Sequence, residues 1–118
     1  MTAAERWVRE RLADAPPSLL DAMAAALPGE ALPVPDALAS GALRLLERVA
    51  RGSGGREDAL PLLAADALLT HAFQAQAEAD PAGIAALAAR WGASGRLGEL
   101  AARLPADSLR PPTTAPVP

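Results

Sequence analysis

Between Asp58 and Ala79 the chain contains no glycine, and its single proline, Pro61, falls where the first turn of a helix would lie. Proline is tolerated there because the first-turn amide has no intrahelical acceptor. The rest of the stretch is mostly alanine and leucine, both strong helix formers. One long helix is therefore expected, from about Asp58 to Ala79. Leu62, Ala65, Leu69, Phe73 and Gln76 recur at helical spacing on one face. Leu63, Ala67 and Thr70 lie beside that row and widen the apolar stripe. A single carboxylate, Asp66, sits within the stripe, with Thr70 one turn on as a hydrogen-bond donor. A carboxylate on an apolar face needs such a partner or a place at the rim, so Asp66 with Thr70 is the candidate polar anchor of the central helix, with ligand or metal binding by Asp66 as the alternative.

Prolines and glycines divide the remaining chain into helical lengths. Thr2 and Glu5 have the spacing of a capping box, opening a helix to about Ala13 with Trp7, Val8 and Leu12 on its apolar side. Pro16-Pro17 breaks it and starts a second helix to about Leu27, carrying Leu19, Leu20, Met23 and Leu27. After an extended connection through Gly29, Pro33 and Pro35, Asp36 is placed to cap a third helix from about Ala37 to Arg51. Its stripe is Leu38, Leu45, Leu46 and Val49, and Glu47 is spaced to pair with Arg51. Gly52-Ser-Gly-Gly55 predicts a mobile loop before the central helix. Asp80-Pro81 signals a fifth helix to about Trp91, with Ile84, Leu87, Ala88 and Trp91 inward. After Gly92 and Gly95 a short sixth helix carries Leu97, Leu100 and Leu104. No segment alternates with the period of a strand. The fold class expected is all-α, an antiparallel helical bundle of about six helices. Residues 1–104 are expected to form a single helical domain, and 105–118 a Pro-rich disordered tail.

Composition narrows the function. Of the 118 residues, 51% are hydrophobic but only 3% aromatic. Much of the apolar content is alanine, which buries little area per residue but lets helices pack closely. The net charge is −3, every basic residue is arginine, and the arginines are scattered. That pattern carries no nucleic-acid footprint and no polybasic membrane anchor. The absence of cysteine excludes a disulfide framework and thiolate metal sites. The charged N-terminal stretch is unlike a secretory signal, and no run of about 18 apolar residues predicts a transmembrane helix. A soluble, cytoplasmic protein is the resulting expectation. The lack of lysine and asparagine fits a GC-rich bacterial genome.

No motif is a complete catalytic site. His71, the only histidine, has no nucleophile indicated beside it. Glu57-Asp58 lies at a helix start, where negative charge complements the dipole. Gly52-Ser-Gly-Gly55 lacks the strand and the Lys-Ser/Thr of a phosphate-binding loop. Trp7 and Trp91 suit a core or an interface. No catalytic, cofactor-binding or metal-binding residue is assigned, and no cofactor is expected.

Leu62-Leu-Ala-Ala-Asp66-Ala-Leu-Leu-Thr70-His-Ala-Phe73 resembles a characteristic helix of the trans-isoprenyl diphosphate synthases, which typically reads I/L-L-A-G-D-A-L-L-T-x-A-F. Ala65 stands where that family has glycine. Leu20 to Leu27 is similar to the family's A-M-x-x-A-L helix, Ala39 to Glu47 to its A-A-A-L-E-L-I-H helix, and Ala93 to Gly98 to its A-S-G-x-x-G segment. The pieces fall in family order over about residues 5–104. The resemblance implies a bundle similar to the N-terminal half of the isoprenoid synthase fold. The family's diphosphate-binding G-G-K-R-x-R-P is replaced here by Pro28-Gly-Glu-Ala-Leu-Pro33. Its magnesium-binding D-D-x-x-D is replaced by Arg48-Val-Ala-Arg51-Gly-Ser-Gly-Gly55. Ionising an allylic diphosphate needs cations around the phosphate oxygens, so no active-site residue carries over.

Three functional readings follow. The first is a non-catalytic, degenerate synthase-like protein, an accessory or regulatory subunit in isoprenoid biosynthesis that binds a protein partner, self-associates, or holds a prenyl chain. The second is an unrelated alanine-rich interaction or scaffold module. The third is a prenyltransferase completed by a larger subunit.

Overall fold

The computed structural model describes residues 1–104, so the tail expected at 105–118 lies outside the described residues. The described residues are helical with no strand. The helices are α1 (Ala3–Arg11), α2 (Pro17–Ala26), α3 (Val34–Ala50), α4 (Ala59–Ala79), α5 (Ile84–Trp91) and α6 (Arg96–Arg103). Single 3-10 turns at Arg56–Asp58 and Pro81–Gly83 lead into α4 and α5.

Local chemistry explains most boundaries. Thr2 Oγ1 accepts from the Glu5 amide at 3.2 Å, satisfying one of the free donors at the start of α1. Pro17 opens α2 at a position where its missing amide loses nothing. Asp80 caps the Pro81–Gly83 turn through the Ala82 amide at 3.1 Å, rather than capping α5 directly. The start of α3 differs from expectation. Pro33, at φ −52° and ψ 144°, takes the capping position, and the helix begins at Val34. Asp36 is therefore inside the first turn and free for another use.

The centre is the antiparallel hairpin of α3 and α4. Gly41, midway along α3, meets Leu68, midway along α4, while Leu45, late in α3, shares a groove with Pro61, early in α4. Small residues set the approach. Ala37, Ala39 and Ala42 from α3 and Ala64, Ala65, Ala72 and Ala75 from α4 are all buried. A Cβ on Gly41 would lie 3.2 Å from Leu68 Cδ1 and 3.3 Å from the Ala26 carbonyl oxygen, so α2, α3 and α4 converge at that glycine. Leu38, Leu68, Met23, Val8 and Leu87 are the large side chains sealed from solvent.

The inward face of α4 is not the row expected from its sequence. Pro61, Ala64, Ala65, Leu68, Ala72 and Ala75 are buried, whereas Leu62 and Leu63 are 50% and 53% exposed. Asp66 and Thr70 are exposed on the opposite side. The cause is the near-uniform apolarity of the helix. Asp66 is the only carboxylate from Ala59 to Ala77, a stretch with no arginine, so periodicity alone cannot select a face. Close approach selects it instead: Leu68 seats against Gly41 with Ala64, Ala65, Ala72 and Ala75 buried along the same face, and Leu62 and Leu63 are left outside.

Candidate functional site

The turn joining α3 to α4 is tied at two points. Gly54, at φ +77°, adopts a backbone that favours glycine and donates its amide to Asp58 Oδ2 at 2.8 Å. The Ser53 hydroxyl donates to Glu57. That bond, with a further one from the Glu57 backbone, holds the Glu57 carboxyl below its ordinary value. The segment expected to be mobile is thus a hydrogen-bonded turn, and the Glu57-Asp58 pair serves it. Asp58 makes no side-chain cap to α4.

Beside this turn lies a groove of about 420 Å³. Ala22, Ala25 and Ala26 of α2 form one wall, and Leu45, Leu60 and Pro61 supply further apolar lining. Arg44, Arg48 and Arg51 line it from the end of α3, and Glu57 is the one acid in the lining. The arginines follow an i, i+4, i+7 spacing and so share one side of the helix. Arg48 in the last turn and Arg51 at the C-cap complement the α3 dipole. Among the described residues none of the three is ion-paired, while Arg9, Arg11, Arg90, Arg96 and Arg103 each face an acid. The expected Glu47–Arg51 pair is replaced by Glu47–Arg103, at 3.5 Å, which draws α6 onto α3. Leu60, 40% exposed, continues outward to Leu63 one turn on, and Leu62 flanks it.

Asp66 and Thr70 do not form the anchor expected of them. Both are exposed, and among the described residues no hydrogen bond joins their side chains. Asp36 performs that task. Its carboxylate is 17% exposed, accepts from Trp91 Nε1 at 2.8 Å and from Arg90 Nε at 3.0 Å, and fastens α5 to α3. Sequence reasoning missed this because Asp36 read as a cap and Trp91 as plain core. The signal available was a second proline, Pro35, just before Asp36, which lets the helix start earlier.

His71 is half-buried, with Nδ1 2.7 Å from the Ala67 carbonyl oxygen. Nδ1–H donates in that contact, since the carbonyl oxygen can only accept. Trp7 meets the imidazole edge-on at 6.1 Å, and Arg11 stacks over Trp7 at 5.4 Å while pairing with Glu78. This cluster binds α1 to α4. No nucleophile is hydrogen-bonded to His71 among the described residues. No group of three His, Cys, Asp or Glu side chains suited to a metal ion occurs among the described residues. No described helix is long and apolar enough to cross a membrane.

The arrangement by the turn therefore offers binding surface: an apolar groove, a row of unpaired cations and adjoining exposed leucines. No family model matches the chain, and no curated protein or solved structure matches it.

Proposed function

We propose that this chain is a non-catalytic helical binding module, built like the N-terminal half of a trans-isoprenyl diphosphate synthase, that acts by docking a protein partner. The single observation carrying the reading is the run of exposed leucines, Leu60, Leu62 and Leu63, beside an apolar groove. Exposed leucines grouped within one helical turn in this way point to an interaction site. The carboxylates nearest the groove, Glu57 and Asp58, are occupied by Ser53 and the Gly54 amide, which favours binding over acid–base or metal chemistry. The antiparallel pairing of α3 and α4 is one that the synthase resemblance requires, and it is compatible with an accessory role in isoprenoid biosynthesis. It equally suits an unrelated alanine-rich interaction module.

Light scattering over a concentration series tests the reading. Without its partner the exposed leucine surface is expected to drive self-association, and Leu62→Asp with Leu63→Asp is expected to return the chain to monomer. A strict monomer at every concentration, with no change in the double variant, contradicts it.

A second reading has its own observation. The alanine wall and the three arginines suit an apolar chain with an anionic head, so the groove would hold a prenyl diphosphate without turnover. Calorimetric titration with geranylgeranyl diphosphate tests this, with saturable binding weakened by Arg48→Glu as the expected result. No heat of binding at micromolar chain removes it.

A further inference from the structure

We propose that the groove beside the α3–α4 turn takes an amphipathic helix of a partner protein whose acidic residues recur at i, i+4 and i+7, matching Arg44, Arg48 and Arg51. This rests on the docking reading above and names the partner's chemistry. Charge carries the first step. The chain is net −3, yet the groove lining has three arginines against one acid, Glu57. Among the described residues those arginines make no ion pair; Arg6 and Arg56 make none either, whereas Arg9, Arg11, Arg90, Arg96 and Arg103 do, and what sets the three apart is that they line one groove together. The most obvious internal partner, Glu47, is engaged by Arg103.

Geometry carries the second. Residues four apart on a helix rise about 6 Å, and the row from Arg44 to Arg51 extends about 10 Å along α3. A single anionic head is shorter than this row and engages only part of it. A line of cations at helical repeat matches a line of anions at the same repeat, which another helix presents in register. The walls agree with a helical occupant. Ala22 and Ala25 leave room for close approach, and Leu60 and Leu63 stand outside as partners for apolar residues flanking the acids.

Two synthetic helical peptides of about 18 residues test the proposal. Both carry leucines on one face. One has glutamate and the other lysine at three flanking positions spaced i, i+4 and i+7. Fluorescence anisotropy against the full chain should show the glutamate peptide binding about tenfold more tightly than the lysine peptide, the combined effect of three solvent-accessible pairs. With Arg44→Glu, Arg48→Glu and Arg51→Glu together, the preference should reverse to the lysine peptide. Circular dichroism confirms that the variant is folded, and Arg48→Gln alone, which should lower the preference about twofold, serves if it is not. Equal affinity for the two peptides, or a preference the arginine variants leave unchanged, overturns the proposal. So does arginine-dependent binding of dodecyl phosphate or of phosphatidylglycerol vesicles in place of the peptide. Loss of the charge preference while the leucine variants still abolish self-association would remove the acidic helix and leave the docking reading standing.

Discussion

The two ends of the α3–α4 hairpin use charge in opposite ways. At the end away from the turn, the acid of α3 is consumed within the fold. Asp36 accepts from both Trp91 and Arg90, and nearby on α4 the Trp7–His71 contact and the Arg11–Glu78 pair fasten α1. At the turn end, Glu47 is taken by Arg103, but Arg44, Arg48 and Arg51 form no ion pair among the described residues, and the leucines at the start of α4 face outward. One helix therefore carries a polar clasp at its first turn and an unmatched cationic row at its last. The difference separates what holds the fold together from what the fold leaves available.

Variants that sharpen this contrast span a wide range of effects. The largest is expected at the shared centre. Leu68 is fully buried against Gly41, so Leu68→Ala should destabilise by about 2–5 kcal/mol, whereas Leu63→Ala at the exposed end should stay within about 0.5 kcal/mol. Urea unfolding measures both, and equal losses would erase the distinction between inward and outward faces of α4. Asp66→Ala should also fall within about 0.5 kcal/mol, since Asp66 is exposed. A loss above about 1 kcal/mol would restore it as an anchor.

The smallest effect concerns pH at the turn. The folded Glu57 carboxyl lies below its ordinary value of 4.5, chiefly through the Ser53 hydroxyl. A depressed carboxylate contributes its stabilisation fully above the unfolded value and loses it as pH falls through the folded one. The turn contact should therefore be intact at neutral pH and fade on acidification below 4.5. Ser53→Ala should raise the Glu57 titration midpoint followed by carbon-detected NMR, and an unmoved midpoint would show that Ser53 is not the cause.

The all-α architecture was legible because proline and glycine bracket each helix. Pro17, the Gly52–Gly55 segment, Asp80-Pro81 and Gly92–Gly95 each lie at an observed boundary. The inward face of α4 was not legible, because a helix apolar on nearly every side carries no directional signal until its neighbour is known. Gly41 supplies that neighbour's shape. The roles of Asp36 and Asp66 were exchanged for a related reason. A carboxylate's task depends on which side chains a distant helix brings to it, and the donors to Asp36 come from Arg90 and Trp91, far along the chain. The arginines read as scattered in the sequence; that three of them line one groove emerged only with the structure, as did the pairing of Glu47 with Arg103 rather than Arg51.

Unfolding measured side by side for Asp36→Ala and for the triple reversal Arg44→Glu, Arg48→Glu, Arg51→Glu tests the central contrast most directly. Asp36→Ala leaves the Trp91 indole without its acceptor and should lose about 1–3 kcal/mol. The triple reversal should lose less than about 1 kcal/mol, the share due to the α3 dipole. A triple reversal as destabilising as Asp36→Ala would mean that the arginines serve the fold itself and that the turn end is not held open for a partner.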